Sequence, residues 1–267
     1  LTTLHQNFGA YAKNLSETQK NEWTKVKGRF KEITFVEPIE QLLFLASQQM
    51  YDKSSQKEEN KTAKQLYQLA IDTKFASKSF SEDTALQLYP LDSFSAYAIT
   101  SAIQRYGQNE RSLFSFLAAR GSNSLSEFQT KTNLTYNLAS VYDYIVFNFY
   151  SYLKDANMDS MSWSSMQVSI ERVEGLNWDS TEQLTDAIKI VKSIGLLNLF
   201  GIAGFAMEPE QMAEYAQLAM DIPDAGTIIN KLRGFRIIRY AEYKQRLLLF
   251  EGTDVDLELE IKKAGSV

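Results

Sequence analysis

Between residues 231 and 246 the chain carries Lys231, Arg233, Arg236, Arg239, Lys244 and Arg246 against one acid, Glu242. Cations gathered this densely can hold phosphate oxygens, a contact that positions nucleic acid without reading its sequence. The surplus stands out because the whole chain is acidic: 28 Lys and Arg face 33 Asp and Glu, a net charge of −5. That balance argues against a protein coated in basic surface but leaves room for one basic face. Directly afterwards come Glu251, Asp254, Asp256, Glu258 and Glu260, which can neutralise the basic stretch from within. Other chemistries lack their residues. His5 is the sole histidine and cysteine is absent, so nothing supports a Ser-His-Asp triad, a thiolate nucleophile or a His/Cys zinc site. Glu208 and Glu210, near Gly201 and Gly204, have neither the spacing of a metal loop nor that of a glycosidase pair. No glycine-rich phosphate-binding loop occurs, so these residues alone are expected not to hydrolyse a nucleoside triphosphate.

The elements that would position the basic stretch read as helices followed by a hairpin. Four prolines and twelve glycines in 267 residues leave long stretches free to follow the 3.6-residue period. Helices are expected over 4–15, 17–27 and 40–51, through Leu66, Leu69 and Ile71, from Pro90 through Ile103, and from Asn109 through Leu117. Further helices are expected over 138–153, 163–173, 182–199, 208–220 and 223–233. Ile33 to Val36 reads as a short strand ending before Pro38. Residues 52–64 read as a loop or an exposed helix start, and the Ser-rich stretch 120–131 reads as a polar loop. Ile237–Tyr240 and Arg246–Phe250 read as the two strands of a hairpin, and helices followed by a hairpin is the order of a winged helix-turn-helix. The fourth helix and the hairpin are the parts of such a module that meet a duplex. The aromatic run from Tyr142 to Tyr152 lacks interleaved Lys or Arg, so it reads as a core helix and interface, not a base-stacking surface. Trp23, Trp163 and Trp178 read as packing anchors. Ile188–Phe205, the longest apolar candidate, is broken by Lys189 and Lys192 and is no membrane span. Leu1 stands where a methionine would open a gene product, and no signal-peptide layout follows, so the chain reads as cut from a longer cytoplasmic protein.

The run Lys25-Val26-Lys27-Gly28-Arg29-Phe30, followed by the strand and by Pro38, resembles the end of an AAA+ ATPase core, where a Gly-Arg-Phe triplet precedes the last strand and a proline turn enters the helical lid. The similarity extends to 22–30, 107–117 (GQNERSLFSFL), 194–201 (IGLLNLFG) and 249–257 (LFEGTDVDL), which look like parts of large bacterial P-loop ATPases, several of them encoded near DNA-modification or phage-defence genes. The resemblance implies that Arg29 acts as an arginine finger on a neighbouring subunit's nucleotide, a role suited to a planar, permanently charged guanidinium. It implies that Arg111, opening a helix after Asn109-Glu110, is a nucleotide sensor. ATP and magnesium, a missing N-terminal P-loop domain, a homo-oligomer and double-stranded DNA are the implied cofactors and partners. Plainer readings stand beside these. Arg29 can be a helix-end arginine tied to a carboxylate, and Arg111 can pair with Glu110 at the surface, a contact worth about 0–1 kcal/mol.

The expected fold is therefore mainly α: residues 1–38 the tail of a nucleotide-binding core, 39–160 a helical lid, and 161–267 a winged helix with a small β-hairpin. The expected function is to couple nucleotide state to nucleic-acid or partner binding, with no ATPase activity in these residues alone. The alternative is a non-enzymatic helical adaptor whose winged helix binds protein. No membrane contact is expected.

Overall fold

Local capping signals and apolar spacing account for where the helices fall. The computed structural model describes residues 15–29, 37–50, 61–106, 111–118, 122–131, 135–150, 153 and 158–250. Among them are twelve α-helices and one two-stranded antiparallel hairpin, so the protein is mainly helical. No described helix is long and apolar enough to cross a membrane. The expected helix over 4–15, the strand at Ile33–Val36, the caps Gly107 and Asn109, and the acidic block after Phe250 lie outside the described residues.

Helix α1 (Glu17–Lys27) opens on a reciprocal cap between Ser16 and Gln19 and buries none of its residues. The next four helices are α2 (Ile39–Met50), α3 (Lys61–Asp72), α4 (Glu82–Gln87) and α5 (Ser93–Tyr106). Eleven of the fourteen residues of α5 are buried, which makes it the central helix of this group; a helix covered on every side has no solvent face to keep polar. Around it pack α2, α3 and α8 (Leu138–Asn148), with α6 (Arg111–Ala118) and α7 (Leu125–Lys131) beside them.

The remaining elements are α9 (Ser160–Glu174), α10 (Thr181–Phe200), α11 (Pro209–Met220), α12 (Ala225–Gly234), β1 (Ile238–Ala241) and β2 (Arg246–Leu249). Helix α10 lies against α5, α8, α9 and α12. Its mid-helix Gly195 is explained by the crossing with α9, since a Cβ there would sit 2.3 Å from the Met166 sulfur. The apolar interior runs from Leu42 to Leu247 without a break near residue 160. Helix α11 packs on α3, and the Ala206 N–H donates to the Thr73 carbonyl at 3.1 Å. The expected divide between 39–160 and 161–267 thus coincides with no interruption in packing.

Three local expectations change. Pro90 does not start a helix. It follows a cis peptide bond, its carbonyl accepts the Tyr136 N–H at 2.7 Å, and α5 begins only at Ser93. Residues 125–131 are helix rather than loop, because Ser124 acts as a cap: its hydroxyl accepts the Glu127 N–H at 3.4 Å. Leu125 is buried there and Phe128 packs edge-on against Tyr136, with ring centres 5.2 Å apart. Helix α4 was not expected; Ser81 caps it through the Thr84 N–H.

Candidate nucleic-acid interface

Helix α11 starts at Pro209, its N-cap Glu208 exchanging bonds with Gln211, and stops at Asp221 in a left-handed conformation (φ 56°). A four-residue turn then leads into α12. Two helices joined by so short a turn and followed by a hairpin have the element order of a winged helix-turn-helix. The chain leaves α12 through Arg236, also left-handed at φ 55°, and enters the hairpin. Ile238 pairs with Leu249 and Ala241 with Arg246, leaving Glu242–Gln245 as the tip.

The hairpin is anchored to its helices by specific bonds. The Arg172 guanidinium donates to the carbonyls of Arg236 at 3.0 Å and Phe250 at 3.5 Å. Asn198 donates to the Leu247 carbonyl at 2.9 Å. The Tyr240 hydroxyl donates to the Glu208 carboxylate at 2.6 Å, and this bond holds the phenol's pKa up to about 12. Ile238 and Leu247 turn inward and are buried.

Against this frame the six predicted cations separate into two sets. Lys231 is held: its ammonium donates to Asp179 and, at 3.2 Å, to Gln183, and lies 6.0 Å from the Trp178 ring centre. Arg246 is half-buried with its guanidinium 5.4 Å over Phe205, and burial lowers its pKa from the usual value. Arg239 is also half-buried, its Nε withdrawn from solvent. Arg233, Arg236 and Lys244 are exposed, and none forms an ion pair with another described residue. They occupy the last turn of α12, the corner after it and the hairpin tip. Thr227 and Asn230 add exposed polar groups along α12.

Arg29 is exposed in the turn after α1, its N–H donating to the Val26 carbonyl at 3.0 Å. Arg111 is the first residue of α6. Arg29 is not brought into a described polar cluster. Among the described residues no group of His, Cys, Asp or Glu could hold a metal ion. A half-open hollow of about 110 Å³ is bordered by Glu127, Asp143 and Tyr136. Both of its carboxylates are engaged: Glu127 accepts the Asn123 N–H at 2.7 Å, and Asp143 accepts the Lys192 ammonium at 2.6 Å.

The most unusual polar group was missed by sequence reasoning. Asp92 is 4% exposed, and its carboxylate accepts the Ser95 N–H and hydroxyl, both at 2.9 Å, and the Tyr215 hydroxyl at 3.1 Å. Tyr215 in turn accepts the Leu138 N–H at 3.0 Å. Burial pushes the Asp92 carboxyl up to about 6, partly offset by the bonds from Ser95 and Tyr215. Burial also drives the Tyr215 phenol well above its ordinary value. Nearby, Thr135 and Asn137 both donate to the Ala219 carbonyl, at 2.7 and 3.3 Å. The Asp-x-x-Ser spacing of 92 and 95 was a legible capping signal. Its partner on α11, 123 positions away, was not.

No protein-family model, curated protein or solved structure matches the chain. The described residues form a mainly helical protein whose last described elements are two helices joined by a short turn and an anchored hairpin.

Proposed function

We propose that this chain binds duplex DNA through α12 and the hairpin, with Arg233, Arg236 and Lys244 as phosphate contacts. The observation that carries the reading is the separation of the basic stretch into held and exposed cations. Where charge serves only packing, each cation is expected to be paired or shielded, as Lys231 and Arg246 are. Three exposed cations at the outer edge of a helix-turn-helix suit the spaced phosphates of a duplex. The exposed face of α12 carries the polar residues Thr227, Asn230 and Arg233, which suits a helix facing the edge of a duplex groove.

The test is anisotropy with a labelled duplex across a salt series. Binding is expected at low ionic strength, falling steeply as salt rises. Arg233→Ala and Arg236→Ala should each weaken it and lower the salt slope by about one. Absence of binding even at low salt would remove the reading and leave the protein-binding adaptor.

The wider role rests on resemblance alone. In it this chain is the lid and C-terminal part of a bacterial AAA+-like ATPase, with Arg29 acting in trans on ATP-magnesium and Arg111 sensing nucleotide in cis. An Arg29→Ala exchange in the assembled longer protein that left ATP turnover unchanged would remove the finger role.

A further inference from the structure

The tip of the hairpin carries one side chain that phosphate binding does not require. Tyr243 is 67% exposed, the most exposed aromatic residue among those described. Its ring stands at the turn between β1 and β2, where neither neighbouring helix covers it. One cation stands beside it: the Lys244 ammonium lies 5.4 Å from the ring centre. The exposed acid Glu242 precedes it, and a second acid, Glu208, lies against the hairpin through its bond to Tyr240.

Three other exposed aromatics, Phe44, Phe147 and Phe235, lack this setting. Phe44 lies on the outer face of α2 and Phe147 near the end of α8, with no cation recorded over either ring. Phe235 is partly covered by Trp178, with ring centres 6.0 Å apart. An exposed phenol with a cation beside it offers a π-face for a base and charge for the adjoining phosphate. In continuous duplex every base is already stacked on both sides. A ring exposed at a hairpin tip finds an open base face only where stacking is interrupted, at a fork or an unpaired stretch.

We propose that Tyr243 is a base-stacking residue that makes this protein prefer forked duplex DNA over uninterrupted duplex. The proposal rests on the DNA-binding reading above and adds to it the kind of DNA selected. Arg233 and Arg236 supply affinity for either form, and Tyr243 supplies the discrimination.

The experiment is a competition assay with the 267-residue chain. A labelled forked duplex is displaced either by the same unlabelled fork or by relaxed, covalently closed circular DNA matched in base pairs. The wild type should favour the fork by about tenfold, the scale of one base–aromatic stack. Tyr243→Ala should abolish that preference while circle binding persists, and Tyr243→Phe, which keeps the ring, should retain it. Arg233→Ala should weaken fork and circle alike. Equal affinity of the wild type for the two forms, or an undiminished preference in Tyr243→Ala, overturns the stacking proposal and leaves duplex binding intact. Failure to bind either form at low salt overturns both.

Discussion

The two ends of the helix-turn-helix are built in opposite ways. On its inner side, Tyr215 of α11 and the Asp92 cap of α5 form a dry network in which every bond is to another part of the chain. On its outer side, Arg233, Arg236 and Lys244 stand in solvent without described ionic partners. Polar groups cost little when exposed and much when buried, so a buried one must be matched by bonds. The inner network therefore makes the helix-turn-helix part of the helical body, and the outer set is left able to meet something else. The two ends should respond differently to the same kind of change.

The largest effect is expected at the inner end. Tyr215→Ala should destabilise the protein by about 3–5 kcal/mol, since it leaves a large cavity. It also strips the Asp92 carboxylate and the Leu138 N–H of a partner. Urea denaturation reads this directly, and a loss under about 1 kcal/mol would mean that the network is not holding α11 in place.

A smaller effect comes from pH. The Asp92 carboxyl titrates near 6 in the folded protein against an ordinary value of 3.8. The folded state therefore binds this proton more tightly than the unfolded chain. The stability linked to it is full below the ordinary value and is lost as pH rises through about 6. The difference is on the order of 3 kcal/mol. Melting followed from pH 7 down to 5 should show about half of this gain, roughly 1.4 kcal/mol, and Asp92→Asn, which keeps a capping oxygen, should flatten it. A slope that survives in Asp92→Asn would assign the titration to another group.

The smallest effect sharpens the division within the basic stretch itself. Lys231→Met keeps an apolar stem against Trp178 but removes the bond to Asp179. It should leave the salt slope of DNA binding as in the wild type, whereas Arg233→Ala lowers it by about one. Equal slopes for the two variants would erase the distinction between held and exposed cations.

Much of the architecture was legible because it depends on neighbours in sequence. The apolar spacing over 182–199 and 208–220 is a local signal, and α10 (Thr181–Phe200) and α11 (Pro209–Met220) fall close to where it is expected. Helix α7 escaped because its serines look like loop residues, while one of them is a cap and the apolar pair Leu125 and Phe128 supplies the packing. Net charge over 231–246 counted Lys231, Arg239 and Arg246 as equal to Arg233, although their surroundings differ.

The sequence by itself determined that the protein is mainly helical, that a hairpin closes the described part, and that a basic segment lies there, because helix periodicity, caps and charge are properties of short stretches. Only the tertiary structure decided which of those cations face outward, since Asp179 reaches Lys231 across 52 positions and Phe205 lies beneath Arg246. It also decided that Asp92, an ordinary cap in sequence, becomes a buried acid bonded to Tyr215. Burial and pairing are set by contacts between distant segments, and no local pattern encodes which distant segment will arrive.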